Sequence, residues 1–408
     1  MLDIRLIRSE ADAVRAGLAR RGDVADDAVD RVLELDERWR GLTTQLEELR
    51  AEQNRFNKGR RGAPTEEERE QIASMSDRGA ELTNLETIVR GELDELLLGL
   101  PNLPAEDVPP VDTVLREVGE SGRTGRDHLE LAGAMIDMER GAALSGSRFA
   151  YLRGGLVLLE FALVQYALSK LVPQGFEPVI PPVLVRERAL IGTGMLPDTE
   201  QQIYQLPNDD LYLVGTSEVA LASLHRDEIL DAADLPRRYV GFSACFRREA
   251  GAAGKDTRGI FRVHQFDKLE MFTFVEPDNS AEEHERILAI EESILQELNI
   301  PYRVVAIAVD DLGAPAAKKY DCEAWMPGQG QFREVTSCSN TTDYQARRLE
   351  VRYRTADGRP ANVHTLNGTA VTWRHMIALL ENGQQEDGTV VLPEVLTRFG
   401  APATLSAT

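Results

Sequence analysis

Between residues 241 and 272 the chain reads GFSACFRREAGAAGKDTRGIFRVHQFDKLEMF. Arg247, Arg248, Lys255, Arg258, Arg262 and Lys268 crowd there between two apolar ends, with Gly251 and Gly254 in the middle. The pattern reads as a strand, a flexible basic loop and a second strand ending in the aromatic Phe266. Guanidinium groups fixed on a sheet bind carboxylate and phosphate bidentately, and an aromatic face beside them can hold a base. The competing reading is a surface hairpin with solvated charges, the usual fate of a charge run.

The wording FRREAGAAGKDTRG, followed by HQFDKLE, resembles motif 2 of the class II aminoacyl-tRNA synthetases, and the seryl-tRNA synthetase family in particular. Residues 128–149 (HLELAGAMIDMERGAALSGSRF), 175–182 (GFEPVIPP), 216–218 and 333–348 (REVTSCSNTTDYQARR) resemble the same family in the same order, so the likeness covers almost the whole chain. It implies motif 1 near 175–185, motif 2 near 241–272 and motif 3 near 365–384. The implied activity is that of a class II serine--tRNA ligase. L-serine is activated with ATP to seryl-adenylate, then transferred to the 3′ end of tRNA(Ser), with tRNA(Sec) a further candidate acceptor. Such chemistry leans on positioning and on Arg and Mg²⁺ electrostatics, so it needs no Cys–His or Ser–His nucleophile.

Carried over residue by residue, the resemblance gives Arg247, Glu334 and Arg374 as the catalytic set. Arg247 would bridge the serine carboxylate and the α-phosphate, with Arg248 and Glu249 completing the ATP contact. Phe266 would stack on adenine beside Val263. Glu334 and Ser337 would hold Mg²⁺ and phosphate, with Val335 and Thr336 between them; oxygen donors suit that hard cation. Arg374 matches the arginine that pins the γ-phosphate. Thr216, Ser217 and Glu218 would receive the serine ammonium, Glu270 the side-chain hydroxyl, and Thr369 would lie close to the substrate. A buried carboxylate left unpaired by alanine discriminates far more strongly than a methylene-sized pocket does. Lys255 and Arg258 would meet the acceptor end of tRNA. The alternative for Arg247, Glu334 and Arg374 is an internal ion-pair network, and His264 reads as a packed strand residue rather than a base.

Motif 3 departs from the family. Residues 367–380 read NGTAVTWRHMIALL, one residue short between Asn367 and Arg374, with Trp373 where a small residue is usual. The shortening is expected to shift the strand-to-helix join and with it Arg374. Two alternatives follow: a specialised paralogue for natural-product biosynthesis or inhibitor resistance, and a non-charging RNA-binding relative.

These groups need a scaffold. Val32, Leu35, Trp39, Leu42, Leu46, Leu49 and Phe56 are spaced 3, 4, 3, 4, 3 and 7, with Gln53 in the skipped position. That a/d seam predicts a supercoiled helix pair, each helix reaching ~50 Å at 1.5 Å per residue. GRRGAP at 59–64 breaks the helix, and Thr65 with Glu68 forms a capping-box signature for a return helix near 65–98. On that helix Gly79 and Glu86 interrupt the apolar stripe. The result is an antiparallel helical hairpin, tip near 57–64, carrying Arg50, Arg55, Lys58, Arg60 and Arg61; an ordinary dimerising coiled coil is the competitor. The resemblance makes the hairpin a tRNA-binding arm that contacts phosphates rather than bases.

The Pro-rich 101–110 segment sets the boundary between an arm of residues 1–105 and a catalytic domain of 106–408. Helical stretches near 154–172, 281–298 and 374–383 alternate with β-branched runs, which predicts an α+β fold on an antiparallel sheet. Neither GxGxxG nor GxxxxGK[ST] occurs, against a Rossmann or P-loop site.

With 408 residues and 42% apolar content, two domains and a large core are expected. A formal charge of −22 repels RNA at long range, but screening beyond roughly 8 Å leaves local basic patches to decide. Cys245, Cys322 and Cys338 are widely separated, which argues against disulfides and zinc and suits a reducing cytoplasm. No apolar run near 20 residues is evident, so no membrane span is expected. Resemblance to motif 1 implies a homodimer.

Overall fold

The computed structural model describes residues 1–22, 24, 27–59, 62–197, 202–250, 256 and 258–407. The chain divides into two compact units, Met1–Leu103 and Pro104–Thr408.

In the first unit, α1 (Ala28–Gly59) and α2 (Glu66–Gly99) run antiparallel. The Trp39 indole donates to Glu86 at 2.5 Å, and Gln53 donates to the Met75 carbonyl at 3.2 Å. Leu42, Leu46 and Leu49 interlock with Met75, Leu82 and Val89. The two interruptions on the return helix thus have partners across the seam: Glu86 satisfies an indole, and Gly79 leaves space for Leu49. Thr65 and Glu68 make the reciprocal capping box, at 3.2 and 2.8 Å. Asp36, almost fully buried, is held by Arg8 at 2.7 Å and Arg40 at 3.0 Å, which fastens the N-terminal segment to α1.

The second unit is built on eight strands: β1 (Thr113–Val118), β2 (Phe176–Val179), β3 (Arg237–Phe246), β4 (Gln265–Val275), β5 (Tyr302–Ala306), β6 (Lys318–Met326), β7 (Gln331–Thr342) and β8 (His364–Thr372). Their order is β1-β5-β6-β7-β8-β4-β3-β2, antiparallel except for the β2–β3 pair. Phe266 lies at the start of β4, not at the end of a strand. The residues before Gln265 run as loop.

Alternation along β4 divides the sheet's two faces. Leu269, Met271 and Val275 join the main core, with helices α3 (Gly155–Leu171), α4 (Ser280–Glu297) and α5 (Trp373–Gly383) packed against it. Phe272 and Phe274 point the other way into a smaller core. On that second face, Phe266, Lys268 and Glu270 line an open cavity.

The premise that no apolar run nears 20 residues needs correction, while the expectation of no membrane span is not overturned, since a buried core helix passes the same length-and-composition test. Gly155–Gln174, with mean hydropathy 1.6, is long and apolar enough to cross a membrane by length and composition. The run is long because the helix is apolar on two flanks. Leu156, Leu159, Leu163 and Tyr166 are buried in the core, while Leu158 and Phe161 remain 52% and 54% exposed.

Candidate active site

The cavity measures about 550 Å³ and opens on the second face of the sheet. Strand irregularities decide which side chains reach it. Glu334 and Ser337 are three apart, so on a regular strand they would face opposite sides. The β6–β7 register slips between Cys322 and Glu323, leaving Val335 as an extra residue. Glu334, Val335 and Ser337 consequently all border the cavity. Thr336 turns away and donates to Glu291 on α4 at 2.8 Å. A second slip, between Leu269 and Glu270, makes Ala370 the extra residue of β8 and brings Thr369 and Thr372 to the same side. Such bulges re-aim side chains beside functional sites.

One half of the cavity is cationic and aromatic. The Arg247 guanidinium lies 5.2 Å from the Phe266 ring centre, and its Nε donates to the Gly215 carbonyl at 3.2 Å. Val263 lies in the same wall. Glu249 Oε2 accepts from Arg262 at 2.6 Å. Two guanidiniums lie over the Phe261 ring, Arg333 at 3.9 Å and Arg374 at 4.6 Å from its centre. Arg374 Nη1 reaches the Glu334 carboxylate at 3.1 Å and its carbonyl at 3.0 Å. Burial alone would raise the Glu334 carboxyl, but Arg374, Lys319 and Arg247 outweigh it and hold the group at about 2. Its side chain stays 45% exposed, opening on the solvent of the cavity itself. Asp321, opposite Ser337 in register, moves up to about 7, chiefly through burial, against the pull of Lys319.

The other half is acidic and closed. Glu270 and Glu218 are 2% and 6% exposed. Lys268, also buried, forms an ion pair with Glu270 and donates to Thr216 Oγ1 at 2.8 Å. Thr216 Oγ1 accepts from the Glu218 amide as well, at 3.2 Å. With both lone pairs engaged, that hydroxyl keeps only its proton to offer. Burial, and then the charge of Glu270, push Glu218 up to about 7, against a 2.7 Å bond donated by the Gln345 amide. The Thr369 amide is taken from below by Glu291 at 2.9 Å.

Of the residues singled out in the sequence, Thr216, Glu218, Arg247, Glu249, Val263, Phe266, Glu270, Glu334, Val335, Ser337, Thr369 and Arg374 border this one cavity. Three side chains do not. Ser217 is buried behind it against Ser243 at 2.8 Å, Thr336 faces α4, and Arg248 is exposed outside the cavity wall. The shortened motif 3 leaves Arg374 facing inward at the head of α5. Thr372 and His375 cap that helix, and the Trp373 indole is fixed by Glu160 at 2.7 Å. Arg258 pairs with Asp127 at 3.0 Å and Glu130 at 3.7 Å. Arg50, Arg55 and Lys58 are exposed on α1. Lys255, Arg60 and Arg61 lie outside the described residues. His264 precedes β4 and bonds the Arg247 carbonyl at 2.9 Å.

Sequence reasoning named Lys268 only as one cation of the basic stretch, and gave no role to Phe261, Gln345 or Asp321. Only the first two carried a signal, a lysine and an aromatic inside the basic stretch. Among the described residues, no three His, Cys, Asp or Glu side chains are disposed to hold a metal.

Residues 1–104 match the seryl-tRNA synthetase N-terminal domain, and residues 202–383 match the tRNA synthetase class II core domain (G, H, P, S and T). The chain is 49% identical over 411 residues to the Serine--tRNA ligase of Thermobifida fusca, covering 98% of this chain and 97% of the relative. It is 49% identical over 417 residues to that of Acidothermus cellulolyticus, covering 98% of each. Among solved structures, seryl-tRNA synthetase from Pyrococcus horikoshii complexed with ATP superposes with a TM-score of 0.93 at 42% identity over 100% of both chains. The cytoplasmic Serine-tRNA ligase of Naegleria fowleri in complex with AMP gives 0.87 at 33% identity, over 100% of this chain and 99% of that one. With motif 2, the arm and the shared architecture all agreeing, the chain belongs to the seryl-tRNA synthetase family of class II aminoacyl-tRNA synthetases.

Proposed function

We propose that this chain is a serine--tRNA ligase, activating L-serine with ATP and passing the seryl group to tRNA(Ser), with tRNA(Sec) as a second candidate acceptor. The observation that carries this reading is one cavity whose cationic, aromatic half adjoins a buried acidic half. A serine carboxylate oxygen attacks the α-phosphorus while pyrophosphate leaves. A ribose hydroxyl of the tRNA end then attacks the carbonyl carbon of the adenylate, and AMP departs. Arg247 neutralises the carboxylate and α-phosphate, Phe266 and Val263 seat the adenine, and Arg374 binds the γ-phosphate. Glu249 holds the conformation of the ATP wall through Arg262, and Arg248 extends the cationic rim. Glu218 takes the ammonium, Glu270 the hydroxyl, and Thr369 closes the wall beside them. Charge stabilisation in a closed site supplies most of the rate.

Glu334 and Ser337 are oxygen donors on the cavity side of one bulged strand, a fit for Mg²⁺, which leans on a few protein oxygens and on substrate phosphates. Bound there, it would neutralise charge on the triphosphate. The first unit, Met1–Leu103, serves as the tRNA arm through Arg50, Arg55, Lys58, Arg60 and Arg61, while Lys255 and Arg258 meet the acceptor end. Leu144, Leu158, Phe161 and Ile180, 70%, 52%, 54% and 85% exposed, support burial of this apolar surface in a homodimer. Three buried, unbridged cysteines support a cytoplasmic setting.

The inward Arg374 favours a working enzyme over the non-charging relative. Two assays test the reading: serine-dependent exchange of pyrophosphate into ATP, and charging of a serine tRNA. Both positive supports it, exchange without charging favours a specialised paralogue, and neither refutes it. Arg247→Ala should abolish exchange.

A further inference from the structure

We propose that Lys268 is a positioning residue that keeps Glu270 an ionised acceptor, so that the pocket reads its substrate's hydroxyl through a lysine-clamped carboxylate. The inference rests on the serine reading above and deepens it. Lys268 and Glu270 project from the same face of β4, and both are buried. The ammonium forms an ion pair with Glu270 and donates to Thr216 Oγ1 at 2.8 Å, so it is tethered on two sides of the pocket. Arg247 is the other charged group that acts on Glu270, and Glu270 in turn pushes up the buried carboxyls of Glu218 and Glu291.

A carboxylate shut away with two other acids tends to take up a proton, which turns one of its oxygens from acceptor to donor. Burial does drive Glu270 upward, and Lys268 is the largest opposing influence, ahead of Arg247. An ionised carboxylate accepts a hydroxyl proton about twice as strongly as a neutral group does. Lys268 itself need not touch the substrate. Its three donors are directed to Glu270, to Thr216 and, at most, to one further partner.

The test uses the full-length chain and steady-state serine-dependent pyrophosphate exchange, comparing wild type, Lys268→Met, Lys268→Arg, Glu270→Gln and the Lys268→Met/Glu270→Gln double variant. Lys268→Met should raise the KM for serine about tenfold, the difference between a charge-assisted and a neutral hydrogen bond, and leave the KM for ATP unchanged. Preference for serine over alanine should fall in parallel. Lys268→Arg, which keeps the cation, should recover most of the loss. In a Glu270→Gln background the lysine substitution should cost little more, because the two groups act as a unit.

An unchanged serine KM in Lys268→Met would overturn the proposal. So would equal rises in both KM values, or penalties that simply multiply in the double variant. If Lys268→Met fails to fold, as read by its melting curve and ATP binding, Lys268→Gln replaces it under the same criteria. A wild-type chain that exchanges with ATP but ignores serine refutes the functional reading itself, and this inference with it.

Discussion

Glu218 offers a test of how much stability the serine site costs. The residue is 6% exposed, and burial together with the charge of Glu270 lifts it from an ordinary 4.5 to about 7. That interval is roughly 2.5 pH units, so at 1.36 kcal/mol each the folded state carries about 3 kcal/mol of unfavourable free energy when the group is ionised. The sign follows from the raised value. Below pH 4.5 the carboxyl is protonated in both folded and unfolded chains and costs nothing. Between 4.5 and 7 the unfolded chain ionises first, so the cost grows with pH and is complete above 7.

Glu218→Gln keeps the shape and the Gln345 contact but gives up a charge-assisted bond worth about 1 kcal/mol, leaving a net stabilisation of about 2 kcal/mol at pH 8. For a domain of this size that is roughly 4 °C in Tm. Melting curves of both proteins at pH 5 and pH 8 check it, with the variant's advantage expected mainly at pH 8. Saturating serine should protect the wild type increasingly as pH rises through 7, and should not protect the variant. Parallel Tm profiles for the two proteins would refute the reasoning.

Arg374→Ala removes the partner of Glu334 and the cation over Phe261, and should lower kcat/KM for ATP in the exchange assay by roughly 10²–10³-fold. Activity near wild type would take Arg374 out of the triphosphate site. Arg50→Ala with Arg55→Ala should weaken tRNA binding and reduce its salt slope by about 2, as read by filter binding across a salt series, while exchange, which needs no tRNA, continues. Leu158→Glu with Phe161→Glu should weaken dimerisation by at least about 100-fold, since buried apolar anchors dominate such interfaces. Sedimentation as a monomer already in the wild type would remove the dimer.

Several features were legible in the sequence because they are local. The helix pair follows from spacing that repeats every few residues, and the capping box from two residues three apart. The basic stretch of motif 2 announces anion chemistry through residue type alone. The side-chain direction of Thr336, toward α4 and not the cavity, was illegible for an equally local reason: simple alternation cannot say where a strand gains a residue. The apolar length of α3 was also underread, because an outward apolar flank adds to the core-facing one.

What the chain order could not specify was register. The bulges at Val335 and Ala370 decide which face Glu334, Ser337, Thr369 and Thr372 present, and each depends on pairing with a strand from elsewhere in the chain. The Lys268–Thr216 contact spans 52 residues and the Gln345–Glu218 contact 127. In the linear chain neither pair is close, and only burial together gives their charges and hydrogen bonds the strength that tunes the site. The residue types thus determined the chemistry on offer. Desolvation within the folded sheet decided which groups express it.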